Sequence, residues 1–320
     1  MTTAVVVAVD VGGTKIRAGC VIDGPVGHHR EVPTPAAEGR EAILDSIAEV
    51  VRRVMRETEA ESSGADLRWR LGVGSAGVID PETGTVVSAT DSLAGWTGTR
   101  LTGELSDRLG IETRAVNDVH AHALGESLAG AASGTRSSLL VAAGTGIGGG
   151  LITAGRLLTG RRFAAGHIGH IPVEAARGLP CPCGGVGHVE AIASGPAVLS
   201  AHRRASGATV SSTRELAKVA AAGEAIAQQA FERAGRALGE ALGGLANVLS
   251  PEVIVIGGGL AGAGEHWWHP LREVFEAELI PAVRGLELRA AELGSDAPLI
   301  GAASLWSTDT GEAGTREETV

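Results

Sequence analysis

The chain has 320 residues, enough for two domains of ordinary size, and with 44% hydrophobic and 20% charged residues it is not a disordered polymer. A formal charge of −10, with no basic run longer than a pair, argues against a nucleic-acid partner. Three cysteines, Cys20, Cys181 and Cys183, are an odd count with one close pair, which fits a reducing compartment better than a disulfide framework.

The first ten residues, MTTAVVVAVD, lack a positive n-region, and Asp10 interrupts the apolar run. They read as a buried first strand, Ala4–Val9, and not as a leader. Ile16–Ile22 reads as a second strand, so Gly12 and Gly13 sit in a hairpin turn. Arg40–Ala60 carries Ile43, Ile47, Val50, Val51 and Val54 at helical spacing. Strands follow at Arg70–Val73 and Thr85–Val87, then a short one at Arg114–Val116 leading into Asn117 and Asp118. Val119–Ala129 is expected to be helical. Ser138–Ala143 is a strand, GTGIGGG at 144–150 a turn, and Leu151–Thr153 the returning strand. A loop-rich insert covers about 163–190, alanine-rich helix dominates 196–248, and strand Val253–Ile256 meets a second glycine run at 257–259. The Trp267–Trp268 pair fits either a core or an interface. The longest uncharged stretch, between Arg136 and Arg156, is broken by glycines and is a poor membrane span. These features predict a cytoplasmic protein with no membrane contact. Strand-turn-strand units followed by helices occur early and again midway, which suggests two related α/β domains.

The 48 glycines cluster at the ends of apolar strings, where a backbone without Cβ can approach a ligand closely. Two runs match the dinucleotide pattern G-x-G-x-x-G: Gly144, Gly146 and Gly149, and Gly257, Gly259 and Gly262. The first is followed by strand, not by the helix that holds a pyrophosphate, and the second leaves too little chain for a dinucleotide domain. The reading that fits is three glycine turns around one nucleotide. Asp10, Gly12, Gly13 and Thr14, with Lys15 following, form the first. Gly144, Thr145 and Gly146 form the second, and Gly257, Gly258 and Gly259 the third. Bare N–H groups in such turns make anion-binding concavities, and the Thr14 and Thr145 hydroxyls add donors. Asp10, at a strand end, can hold Mg²⁺ through water near the phosphates.

Within residues 165–195, His170, Cys181, Cys183 and His188 offer two imidazoles and two thiols, a set suited to tetrahedral Zn²⁺. The Cys-x-Cys spacing is tighter than that of a zinc finger, and His167 competes with His170 as a ligand.

VDVGGTKIRAG at the start, Asn117-Asp118, GTGIGGG and the insert GHI…CPCGGVGHVEAIASG together resemble the ROK (repressor, open reading frame, kinase) sugar kinases, over residues 4 to about 303. The resemblance implies an actin-like, ribonuclease-H-like α/β fold, whose two lobes close on ATP and a small-molecule sugar. The small lobe is expected at 1–118 plus about 300–320, and the large lobe at 119–299 with the zinc-binding insert at 165–190. Asp118 is implied as the catalytic base, whose simpler role would be a helix N-cap; the two can coexist. Asn117, His170 and Glu190 are implied ligands of sugar hydroxyls, with Gly77 lining the site and His170 serving zinc and sugar through different ring nitrogens. The family implies a homodimer or homotetramer.

Two positions depart from the family pattern. His188 stands where a third cysteine is usual, and His167 stands where a glutamate usually contacts the sugar. The expected reaction is phosphorylation of a primary, C6-type hydroxyl of a hexose or hexose derivative. The alternatives are a kinase for an amino sugar, such as kanosamine or N-acetylmannosamine, or for a C7 cyclitol, and a catalytically weak sugar-binding regulator. Family regulators carry a DNA-binding domain ahead of the kinase-like part, and with a first strand at residue 4 none is expected here.

Overall fold

A computed structural model describes residues 3–310 apart from positions 23, 63, 65 and 91. The chain divides into two compact units: one runs to Gly125 and resumes at Ser295, and the other spans Glu126–Gly294.

The first unit begins with an antiparallel meander of β1 (Thr3–Val11), β2 (Lys15–Val21) and β3 (Val26–Pro33). Helix α1 (Arg40–Glu61) then crosses to β4 (Leu67–Ser75), which pairs parallel to β1. A small hairpin of β5 (Val78–Asp80) and β6 (Thr85–Ser88) follows, and α2 (Leu101–Leu109) leads to β7 (Glu112–Asn117), parallel to β4. The sheet order is β3-β2-β1-β4-β7. Strands β1 and β4 are central and covered on both faces, which is why β1 reads as a nearly continuous valine run and not as an alternation. The apolar stripe of α1, Ile43, Leu44, Ile47, Val50, Val51 and Val54, is buried in the cluster that contains Val5, Val7, Val9, Leu71 and Val73.

Helix α3 (Asp118–Ala129) carries the chain onward to the second unit. There β8 (Ser138–Ala143), β9 (Ile147–Thr153) and β10 (Arg156–Leu158) repeat the antiparallel meander. Four helices follow: α4 (Glu190–Ala193), α5 (Gly195–Ser206), α6 (Thr213–Ala221) and α7 (Ala225–Leu249). Strand β11 (Val253–Gly257) returns parallel to β8, and α8 (Glu265–Glu278) connects it to the parallel edge strand β12 (Glu287–Ala290). The order β10-β9-β8-β11-β12 repeats that of the first sheet, strand for strand and sense for sense. Glycines 235, 239 and 243, one turn apart on α7, allow close approach of α8: a Cβ at each would lie 2.4–2.5 Å from an atom of that helix. Trp267 and Trp268 are both buried on α8, so the tryptophan pair belongs to the core. Helix α9 (Ala297–Ala303) then rejoins the first unit, burying Leu299 and Ala302 against Ala8, Val116 and Ala121.

The turn expected at 144–150 is shorter than the glycine content suggests. Residues from Ile147 onward already pair with β8, and only Gly144–Gly146 form the turn. Glycine at 149 marks a close approach of backbone, since a Cβ on the facing Gly166 would lie 2.1 Å from the Gly149 carbonyl oxygen. The second glycine run does sit in a β–α–β unit, but the sheet ends one strand later. No helix among the described residues is long and apolar enough to cross a membrane.

Candidate active site

In the first unit, β1, β4 and β7 run parallel, so their carboxyl ends lie at one edge, where α/β sheets bind ligands. Asp10 sits at that end of β1 and Asp118 just beyond that of β7, with Gly74 of β4, opposite Asp10 on one side and Val116 on the other, between them. Gly74 must be small: a Cβ there would lie 2.9 Å from the Ala121 Cβ and 3.6 Å from the Asp118 Cα. The Asp10 carboxyl is pushed up from 3.8 to about 7, first by burial and then by the Asp118 charge, with the Arg17 guanidinium, 3.7 Å away, partly offsetting both. Two half-buried carboxylates that repel each other are a donor set that a hydrated divalent cation suits.

Asn117 fixes the geometry of Asp118. Its Oδ1 accepts from the N–H groups of Val119 and His120, and its Nδ2 donates to Asp118 Oδ1 and to the Gly77 carbonyl, both at 2.8 Å. The residue that caps α3 is therefore Asn117, while Asp118 is the first residue of the helix, where its Oδ1 also accepts from Val119 N–H. That corrects the expectation of a cap at Asp118. Gly77 has φ +104°, and a Cβ on it would lie 2.9 Å from the Ser88 carbonyl oxygen. Gly77→Ala is expected to cost about 1–3 kcal/mol of stability and to lower turnover by loosening Asn117, which thermal melting and initial rates would read.

The first glycine turn joins β1 to β2. Thr34 Oγ1 donates to the Gly12 carbonyl, Gly13 lies against Ser92, and Thr14 is exposed. The Lys15 ammonium is exposed and tied to Glu31, which Arg17 also grips. Arg17 and Ser92 were not singled out in the sequence. Arg17 was within reach of it, because a hairpin around Gly12-Gly13 sets Arg17 directly opposite Asp10.

In the second unit, parallel pairing of β8 with β11 brings the other two glycine turns together. A Cβ on Gly144 would lie 3.8 Å from the Gly259 nitrogen. Gly258 has φ +85°, and its Cβ would lie 2.4 Å from the Ala143 carbonyl oxygen, so no side chain fits. Thr145 at the tip is exposed.

The insert gathers four donors. One ligand atom each from His170, Cys181, Cys183 and His188 lies within 4.8 Å of the others. Cys181 Sγ is 3.7 Å from His170 Nδ1, and Cys183 Sγ is 3.3 Å from His188 Nδ1. A tetrahedral zinc with bonds of about 2.1–2.3 Å sets its ligands about 3.5 Å apart, so the donor set fits in both chemistry and spacing. Burial pushes the His170 imidazole down, which favours the neutral ring that binds metal. It also pushes the Cys181 thiol up. His167 is not one of the four donors: its ring lies 6.2 Å from that of His170, and its Nδ1 is 3.0 Å from the Ala164 carbonyl. A carbonyl only accepts, so Nδ1 carries a proton and the neutral ring keeps Nε2 as an acceptor. Glu190, at the start of α4, accepts from Ile147 N–H at 2.7 Å through Oε2.

A model of the ROK family matches residues 6–309. A glucokinase of Halalkalibacterium halodurans is 35% identical over 92% of this chain and 92% of its own. An N-acetylmannosamine kinase of Citrobacter koseri is 33% identical over 94% of this chain and 98% of its own. Among solved structures, a ROK glucokinase of Streptomyces griseus in complex with glucose and AMPPNP superposes with TM-score 0.81 at 32% identity, over 95% of this chain and 99% of its own.

Proposed function

The chain belongs to the ROK family of actin-like sugar kinases, and we propose that it transfers the γ-phosphoryl group of ATP to a primary, C6-type hydroxyl of a hexose or hexose derivative, with Asp118 as base. The observation that carries the reading is the carboxylate pair at the sheet edge: Asp118 held by Asn117, and a half-buried Asp10 close enough to feel its charge.

In phosphoryl transfer the protein contributes positioning and charge stabilisation more than covalent chemistry. Asp118, its orientation set by Asn117 and Val119, accepts the proton of the attacking hydroxyl as the bond to phosphorus forms. Asp10 is the residue to hold Mg²⁺, which when bound neutralises phosphate charge. The amides of Gly12–Thr14, Gly144–Gly146 and Gly257–Gly259 are the groups to orient the phosphates, with the Thr14 and Thr145 hydroxyls beside them. Lys15 adds a positive charge next to the first turn. Asn117, His170 and Glu190 are the ligands of the remaining sugar hydroxyls, with Gly77 lining the same place. Glu190 offers Oε1 for that purpose, because Ile147 takes Oε2. His170, Cys181, Cys183 and His188 hold a structural Zn²⁺ that fixes the insert. Elemental analysis of purified protein is expected to find about one zinc per chain, and Cys181→Ser is expected to lower it several-fold.

A second reading, a kinase for an amino sugar or a C7 cyclitol, is favoured by His167. Its Nε2 is a neutral acceptor where a family glutamate offers a charged one, and sites built on specific polar partners penalise the wrong ligand heavily. A panel of hexoses, amino sugars and cyclitols, read by ADP release, tests both readings. The His167→Glu protein is expected to gain glucose activity about tenfold or more relative to the parent. High glucose activity in the parent chain would remove the special role of His167.

A further inference from the structure

We infer that the metal-binding insert also sets the shape of the glycine turn Gly144–Gly146, with Glu190 as the positioning residue that joins the two. This rests on reading that turn as a phosphate site. Ile147, the first residue after the turn, meets residues next to metal ligands at both its backbone polar groups: its N–H is hydrogen-bonded, and its carbonyl is closely packed. Glu190, two residues after His188, takes the Ile147 N–H at 2.7 Å. Gly169, immediately before His170, lies against the Ile147 carbonyl so closely that a Cβ there would be 2.2 Å from the oxygen. The same segment reaches the other end of the turn, where Gly195 N–H donates to the Gly144 carbonyl at 2.8 Å.

The two ligand-bearing stretches meet along a short backbone ladder, in which Val189 N–H donates to the Ile171 carbonyl and Val173 N–H to the Gly187 carbonyl, with Pro172 opposite His188. Ile168, Val173 and Val189 are buried in one cluster beneath it. Holding His170 and His188 on one ion ties down the ends of this ladder, and with them the place where Gly169 and Glu190 meet Ile147. The charge of Glu190 makes this matter for an anion. A Cβ at Gly146 would lie 2.8 Å from Glu190 Oε2, so the carboxylate stands directly behind the turn, and the Ile147 amide is what holds it there. A carboxylate released from that amide repels a nucleoside di- or triphosphate bound on the turn.

The test is the affinity of the Mg²⁺ complex of ADP, measured by calorimetry without any sugar, so that the sugar role of Glu190 does not enter. Chelator-stripped protein and the Glu190→Ala protein are each expected to bind about tenfold more weakly, or worse, than the zinc-loaded parent. Glu190→Gln keeps an acceptor for Ile147 and is expected to stay within about threefold of the parent. Gly169→Ala is expected to weaken ADP while its zinc content stays unchanged. If the loaded parent itself binds no ADP, the reading of the turn as a phosphate site fails. If the parent binds but the stripped, Glu190→Ala and Gly169→Ala proteins bind as tightly, the coupling is overturned. Should stripping unfold the protein, as circular dichroism would reveal, the Cys183→Ser protein takes its place, and ADP binding as tight as the parent's at lowered zinc content overturns the coupling.

Discussion

Asp118→Asn is expected to lower kcat by about a thousandfold or more while sugar affinity changes only a few-fold. Asparagine keeps an oxygen at Oδ1 that accepts from Asn117 Nδ2 and Val119 N–H, so the start of α3 is preserved. What is lost is the group that takes up the proton of the attacking hydroxyl. Sugar binding read by tryptophan fluorescence or calorimetry, next to ADP release, separates the two effects. Retained turnover would remove Asp118 from the role of base.

Asp10→Asn is expected to act in opposite directions on stability and on activity. In the metal-free protein the folded-state carboxyl ionises near 7, against 3.8 for an unconstrained one. A carboxyl raised on folding costs nothing below about pH 4, because both states are protonated there. Between about pH 4 and 7 the unfolded chain loses the proton that the folded one retains, so stability falls as pH rises. Above about 7 the full penalty applies, about 4 kcal/mol for a shift of this size. The amide variant carries no such penalty. Without Mg²⁺ it is expected to be more stable than the parent by about 2–4 kcal/mol at pH 8, with the gain vanishing towards pH 4. Denaturant melts at several pH values measure this. Turnover is expected to fall at least a hundredfold, because the residue proposed to hold the cation is gone.

The chemistry was more legible in the sequence than the geometry that holds it. Strand β8 could be read end to end, because Ser138–Ala143 is a compact apolar run bounded by turn residues. The glycines at 148–150 read as loop but are strand, because their reason lies in a tertiary contact: Gly149 meets the backbone of Gly166. Local propensity carries no trace of such an approach. The repeated strand-turn-strand units announced two related halves, whereas the parallel placement of β4 beside β1, which brings Asp10 near Asp118, is a long-range pairing. In the insert, residue type alone left His167 and His170 equivalent. The Ala164 carbonyl that claims His167, and the 3.7 Å separation of His170 Nδ1 from Cys181 Sγ, distinguish them. Asn117 and Asp118 are both good capping residues, and only the hydrogen bonds to Val119 and His120 show which one caps.

Incubating the zinc-loaded protein with Mg²⁺, ATP and each member of a panel of hexoses, amino sugars and cyclitols, and locating the new phosphate by NMR, shows whether and where the chain phosphorylates a sugar. ADP release is expected to depend on one of these acceptors, with the phosphate on its primary hydroxyl. ADP release that is indifferent to every acceptor in the panel, from protein that still binds ATP, would contradict the proposed transfer.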